Sequence, residues 1–279
     1  MLTDEGKKND KTIIVMNRLL KRITSLILTM AVVCMIGCKK ADEPNNGGNN
    51  GNNGGNDGET PEAPAIISTS EVQYDGIVYI EAVFEDESKM YFALLSPTEA
   101  EVVSGESYYQ DNPSQAYKYR GDVIIPETIT HKGTTYSIVA IGNRAFVCCD
   151  LVASVYIPNT VKSIHEWAFG KCNNLVKIIM SENTQYVDQA AFISCDVLTE
   201  IFLPSTIIKI DAVAFSLWDE TTIQVNPTSI TCMAINPPEL GYLAFGYRNI
   251  QNVFVPASSI DAYKTADGWS EYADKIIGI

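Results

Sequence analysis

The sequence predicts a solenoid, a β-rich array of stacked coils each about 23 residues long. Three observations carry that prediction. A phenylalanine recurs every 23 residues, at Phe146, Phe169, Phe192 and Phe215, and each follows an alanine: Ala145, Ala168, Ala191 and Ala214. Five residues before each Phe stands Ile141, Ile164, Val187 or Ile210, and three residues after it stands Cys149, Cys172, Cys195 or Trp218. Short alternating segments closed by proline keep the same step. Fixed apolar slots in a repeat of about 20–29 residues mark the leucine-rich class, whose coils bury their apolar edges only by stacking on neighbours. Function is therefore to be sought on a stacked surface.

Reading begins at Met16, with residues 1–15 taken as an over-extended start. Asn17, Arg18, Lys21 and Arg22 precede an uncharged run from Ile23 to Cys38. That run is shorter than the ~20 apolar residues a spanning helix needs, and it fits the core of a secretion signal over residues 16–37. The run ends Met35-Ile36-Gly37-Cys38. This ending resembles the lipobox of bacterial lipoproteins, in which a small residue before Cys permits cleavage and the thiol is acylated, so Cys38 is the expected lipidation site. Cys34 is a poorer candidate because Val33 before it is bulky. Residues 38–64 are rich in Asn and Gly and hold nothing apolar to bury, so they read as a flexible tether. The basic-then-acidic Lys39–Glu43 resembles the surface-export signals of some Gram-negative lipoproteins. Together these features predict a protein held at the outer membrane by a lipid and exposed at the cell surface.

Residues 1–37 hold six basic and three acidic residues, so the chain from Cys38 onward carries −17 against −14 for the whole sequence. Such a field repels nucleic acid and anionic lipid. Contact with a membrane is expected only through the anchor.

Residues 65–122 alternate in Val78, Ile80, Ala82, Phe84 and again in Met90, Phe92, Leu94, and read as a small N-terminal β cap. The solenoid spans residues 123–256. Its strands are Val155-Tyr156-Ile157, Ile178-Ile179-Met180 and Ile201-Phe202-Leu203, with Val123-Ile124-Ile125 as an earlier copy and Val253-Phe254-Val255 as a late one. First and third residues face inward. Pro126, Pro158, Pro204 and Pro256 close four of them, where no ladder donor is needed, and Ser181 takes that slot after Met180. Aligned on Pro227, the fourth coil places its strand at Ile223-Gln224-Val225. Between the first two copies lies the insertion ITHKGTTYSI, whose His131-Lys132-Gly133 predicts a hairpin turn.

The pattern IGNRAFVCCDLVASVYIPNTVKSIHEWAFGKCNNL closely resembles the BspA-like leucine-rich repeats of bacterial surface lipoproteins, with their AF, Cys and IP signatures. The resemblance covers about residues 123–256. The ending, PPELGYLAF and then VFVPASSIDAYKTADGWSEYADKIIGI, resembles the family's C-terminal cap, placed at residues 257–279. There Ser258 or Ser259 is expected to cap a short helix near Ile260–Thr265, while Trp269 and Tyr272 cover the open end of the core. Trp218 in the Cys slot and the 30-residue step from Phe215 to Phe245 depart from the family pattern and fit an array that is ending.

Catalytic chemistry has no sequence signature here. There are two histidines, His131 and His165, and neither brings a partner motif; GxSxG, HExxH, paired CxxC and Walker patterns are absent. The protein is read as a non-enzyme that needs no cofactor and no metal. Cys149, Cys172 and Cys195 should stack about 4.8 Å apart, within disulfide reach, but a ladder of three cannot all pair and Cys is a good small core filler, so buried thiols are the reading taken. Asp150, Asn173, Asp196 and Asp219 form a second ladder. Stacked carboxylates would also suit calcium, but Asp and Asn at a turn more often accept backbone N–H groups, and that role is assigned to them.

The middle residue of each strand should point outward: Ile124, Tyr156, Ile179, Phe202, either Gln224 or Val225, and Phe254. These are too apolar for a solvated face, and they would form a ridge edged by Ser154, Lys177, Glu200 and Asn252. An N-terminal cap lying over the ridge as ordinary core is the competing account. Ile124, Tyr156, Ile179, Phe202 and Phe254 are the candidate ligand-binding residues. Resemblance to the family implies adhesion, with a host or matrix protein as partner. A glycan-binding module for polysaccharide capture, using Tyr156, Phe202 and Phe254 as stacking platforms, is the alternative, and a structural spacer that binds nothing is another.

Overall fold

The computed structural model describes residues 61–104, 119–217 and 227–279. The leader, Cys38, the tether as far as residue 60, Trp218, Asp219 and the segment Ile223–Val225 lie outside the described residues.

The described chain opens with antiparallel strands. β1 (Ile66–Tyr74) pairs with β2 (Ile77–Phe84), β2 with β3 (Lys89–Leu94), and β3 with β4 (Glu99–Val103). The alternation predicted there holds at its centre: Ile80, Ala82, Phe84, Met90 and Phe92 are buried, while Val78 and Leu94, at strand ends, are exposed. β5 (Gly121–Ile124) follows, then the hairpin of β6 (Thr128–His131) and β7 (Thr134–Ile141). Its turn is Lys132-Gly133, both at positive φ, the conformation a two-residue hairpin loop requires.

From β7 onward each coil supplies two strand segments. The first set is β8 (Val152–Tyr156), β10 (Lys177–Ile179), β12 (Glu200–Leu203), β14 (Pro227–Cys232) and β16 (Asn249–Val255). The second set, two residues each, is β9 (Ser163–Ile164), β11 (Tyr186–Val187), β13 (Lys209–Ile210) and β15 (Glu239–Leu240). Within each set neighbours pair in parallel. The second set continues the N-terminal strands in the order β1-β2-β3-β4-β7-β9-β11-β13-β15; the first divides into β10-β8-β5 and β12-β14-β16-β17, where β17 is Ile276–Gly278. Parallel pairing in register follows from the constant step, since every coil brings the same slot to the same height.

Between the two sets runs a turn that carries the phenylalanine. Phe146, Phe169, Phe192, Phe215 and Phe245 are fully or almost fully buried and stack ring on ring, with centroids 4.9, 5.1, 4.9 and 5.6 Å apart and near-parallel planes. Tyr119 lies against Phe146 at one end of the column; Trp269 and Tyr272 lie against Phe245 at the other. Each buried ring contributes about 1.5–3 kcal/mol by leaving water.

The backbone of the turn is tied coil to coil. Phe146, Phe169, Phe192 and Phe215 donate their N–H to the carbonyls of Ala168, Ala191, Ala214 and Ala244, each at 2.7 Å. The residues two before and two after the Phe are left-handed, as at Arg144 and Cys148, Trp167 and Lys171, Ala190 and Ser194. Their N–H groups also reach the next coil: Trp167 to Gln189, Lys171 to Ile193. Reversing φ at alternate positions aims three donors per turn along the stack, which satisfies buried backbone that no strand covers.

The fourth coil corrects the sequence reading. Pro227 does not close a strand there; it begins β14. Glu200, Ile201, Phe202 and Leu203 pair with Ser229, Ile230, Thr231 and Cys232, so Thr231 takes the outward place assigned to Gln224 or Val225. Ile230 and Cys232 are buried. The extra residues of the 30-residue step enter mainly before this strand, and pairing on both sides, with β12 and with β16, selects the later of two alternating segments.

After β16 the 3-10 turn Ala257–Ser259 leads into α1 (Ile260–Thr265), at the predicted place. Ser259 stands at its N-cap but makes no side-chain capping bond. The preceding turn holds Ser259 at φ −109, ψ −1 rather than in the extended conformation from which a capping hydroxyl reaches forward.

Candidate functional site

The five predicted outward residues fall into two registered rows, one in each parallel sheet of the first set. Ile124, Tyr156 and Ile179 are register partners across β5, β8 and β10, and Phe202, Thr231, Phe254 and Ile277 are register partners across β12, β14, β16 and β17. Phe202 is 39% exposed and Ile277 42%; the others are half-buried. Their strand neighbours Val155, Ile157, Ile201, Leu203, Val253 and Val255 are buried, as period-two alternation requires. Sequence reasoning missed Ile277. Its strand, β17, is a single tail segment outside the repeat, and only its pairing with β16 reveals the slot.

The predicted edge of the row is polar but not uniform. Lys177 and Glu200 are exposed and Asn252 is half-buried, whereas Ser154 is buried and donates its hydroxyl to the Asp122 carboxylate.

At the β5 end the row becomes the floor of an open cleft of about 820 Å3. Ile124, Tyr156 and Ile179 line one side; Pro61–Pro64 and Ile66–Thr69 line the other. The first residues of β1 therefore stand across a gap from the row and do not cover it as core. Glu62, Glu127 and Glu182 are exposed in the lining, which among the described residues contains no Lys, Arg or His.

Both histidines have partners. His131 is buried, with Nδ1 3.1 Å from Thr69 Oγ1 and Nε2 3.4 Å from Glu71 Oε1, so it joins the hairpin to β1. His165 Nδ1 donates to Asp188 Oδ2 at 2.8 Å, and its Nε2 lies 3.8 Å from Glu101 Oε2. The hydrogen bond to Asp188 holds the His165 pKa above its ordinary value against the opposing effect of burial; burial pushes the Glu101 carboxyl up. Asp188 occupies in its coil the slot that His165 occupies in the one before. This contact was present in the alignment of the repeats.

The cysteine ladder, and Asp150 of the second ladder, are bound into the coils. Cys149, Cys172 and Cys195 are fully buried free thiols; Cys172 Sγ donates to Phe146 O at 3.1 Å and Cys195 Sγ to Phe169 O at 3.2 Å. Burial drives the Cys172 pKa far up and that of Cys195 to about 12, so both are unreactive as nucleophiles. Asp150 Oδ1 accepts from Asn173 N and Nδ2, at 3.3 and 3.0 Å, which is turn capping between coils.

A parallel stack of short coils around a phenylalanine column defines a leucine-rich repeat protein. Residues 139–266 match the family described as "BspA type Leucine rich repeat region", in six copies, and over that span the chain is a BspA-type repeat region. It is similar to a leucine-rich repeat protein from Bacteroides capillosus, with 27% identity over 50% of this chain and 85% of that one, at a TM-score of 0.34. It is similar also to the T. pallidum leucine-rich repeat protein (19% identity, 64% and 69% covered, TM-score 0.44) and to the pneumococcal vaccine antigen PcpA (18%, 68% and 51%, 0.41). No curated protein matches the chain.

Proposed function

We propose that this chain is a surface-displayed recognition protein, a leucine-rich solenoid between an N-terminal β cap and a C-terminal cap, whose outward row binds a macromolecule without covalent chemistry. The single observation that carries this reading is the row itself: Ile124, Tyr156 and Ile179 share one register in one parallel sheet, and Phe202, Phe254 and Ile277 share one in the other, all outside the core. An aligned apolar row on a soluble face marks an interaction surface. Residues 65–122 would act as the N-terminal cap and 257–279 as the C-terminal one.

A protein partner, such as a host or matrix protein, fits better than a glycan. Tyr156, Phe202 and Phe254 are not adjacent rungs: Ile179 stands between the first two and Thr231 between the last two. A sugar chain stacking on successive rings would meet an aliphatic or hydroxyl side chain at every other step.

The test is the double change Tyr156→Ser and Phe202→Ser in the full-length chain, measured against immobilised matrix proteins and a glycan array. A side chain fully buried in a complex contributes about 1.5–3 kcal/mol before association costs, so the double variant should bind at least tenfold more weakly with its melting temperature unchanged. Retained binding, or a large fall in melting temperature, would overturn the reading. Display would follow from acylation of Cys38 and from the tether behind it; mass spectrometry of the membrane-extracted protein should find a lipid-modified Cys38 as the first residue, and an unmodified or differently cleaved N-terminus would remove the anchor from the proposal.

A further inference from the structure

Among the described residues β1 is an edge strand whose outer side has no backbone ladder. Among the described residues it pairs with β2 alone. β6 meets β1 through the side chains of β1 and not through a backbone ladder: Thr69 Oγ1 donates to the Thr130 carbonyl at 3.0 Å, and His131 and Lys132 meet the Glu71 carboxylate. At its first residues β1 loses even the regular register with β2, the irregularity falling between Ile66 and Ser68, and Ile67 stands 62% exposed. An exposed edge with free N–H and C=O groups is a template for another strand, and proteins ordinarily blunt such edges with lysines, prolines or a covering element. Here Ile66–Thr69 of that strand line the cleft of about 820 Å3 whose floor is Ile124, Tyr156 and Ile179.

The charge of that cleft selects the occupant. Glu62, Glu127 and Glu182 stand at its lining with no basic residue beside them among the described residues, and the whole chain carries −14. An acidic segment would be repelled, and a purely apolar one would leave the rim unmatched.

Resting on the recognition role proposed above, we propose that this cleft takes an extended, basic polypeptide segment of a partner protein, which adds as a strand to the outer edge of β1 at Ile66–Thr69. Strand addition supplies affinity through main-chain hydrogen bonds and specificity through alternate side chains. Side chains on one face of the added strand lie on Tyr156 and Ile179; lysines or arginines on the other meet Glu62, Glu127 and Glu182.

The experiment titrates the full-length chain with a blocked, fluorescent octapeptide of alternating lysine and valine. The same peptide with alternate backbone amides N-methylated, and a glutamate–valine peptide, serve as comparisons. The lysine peptide should bind saturably, the N-methylated one at least tenfold more weakly, and the glutamate peptide not at all. Replacing all three glutamates, Glu62→Lys, Glu127→Lys and Glu182→Lys, should weaken binding of the lysine peptide at least tenfold. Replacing three exposed carboxylates outside the cleft, Asp261→Lys, Glu271→Lys and Asp274→Lys, should change it less than threefold. Absence of saturable binding, equal binding of the N-methylated peptide, or equal loss in both triple variants would overturn the proposal. Phe202 is not among the cleft residues, so the two readings separate. If the peptide fails while Tyr156→Ser with Phe202→Ser still abolishes binding to a matrix protein, strand addition falls and the row stands. If that double change costs nothing, the row falls whatever the peptide does. Selective capture of glycans alone would also overturn strand addition.

Discussion

Arg248 stands three residues after Phe245, in the slot that holds Cys149, Cys172 and Cys195 in earlier coils. It does the same work with more donors. Its Nε donates to Phe215 O, as Cys172 Sγ donates to Phe146 O, while Nη1 reaches Leu198 O at 2.6 Å and Nη2 reaches Cys195 O at 3.0 Å. The guanidinium is buried, and burial lowers its pKa to about 10 against the opposing pull of Cys195 and Asp196, so it remains charged at neutral pH. A carbonyl left buried without a donor costs about 1–3 kcal/mol. Arg248→Met removes a donor from all three, but Cys195 O still accepts from Leu198 N, so the loss falls on Leu198 O and Phe215 O, and the relief of desolvating a cation offsets only part of it. Chemical denaturation should show a net loss of about 2 kcal/mol or more; a midpoint equal to wild type would mean that these two carbonyls find other donors. The slot was legible in the sequence and its chemistry was not, because an arginine reads as surface until the carbonyls around it are seen.

At the scale of elements, periodicity made the repeated parts legible and left the single ones obscure. The phenylalanine column, the inward residues of β8, β10, β12 and β16, and the β6–β7 hairpin all follow from slots or turn chemistry written in the chain. β14 did not. Ile223-Gln224-Val225 and Ile230-Thr231-Cys232 alternate equally well, and only two-sided pairing with β12 and β16 chooses between them. The left-handed residues escaped for a different reason: Arg144, Trp167, Ala190, Val213 and Leu243 share the slot two before the Phe, yet none is glycine, the residue that ordinarily announces positive φ. Inter-coil hydrogen bonds from the N–H groups of Arg144, Trp167, Ala190 and Val213 hold that conformation, and single-coil reasoning does not contain them. The candidate site divides the same way. Its row of outward residues came from the strand alternation, whereas the cleft came from the approach of β1, a non-repeated strand, to residues more than fifty positions later in the chain.

Across the whole molecule the acidic charge and the partly buried titrating groups act in one direction with pH. His165 has its pKa raised above 6.5, first by the hydrogen bond to Asp188, with burial opposing and the charges of Asp188 and Glu101 assisting. A raised histidine contributes stability that is complete below its unfolded value and is lost as pH climbs through the folded one. Burial raises Glu101 above 4.5 and Asp150 above 3.8, so their folded states also favour the proton, and stability again falls as pH rises past those values. Glu71 and Asp86 are lowered, through hydrogen bonds from Lys132 and Ser88, and oppose the trend. Both are surface groups whose interactions water and salt screen. Titration of carboxylates toward acid also relieves the −14 of the full chain. Melting temperature should therefore be higher near pH 5.5 than near pH 8, with the decline above about pH 6.5 belonging to His165. His165→Gln keeps the ring's place partly filled but removes the titration, and should flatten that upper part of the profile. A melting temperature that rises from pH 5.5 to 8, or an upper slope that His165→Gln leaves intact, would show that the Glu101–His165–Asp188 contact does not govern the pH response.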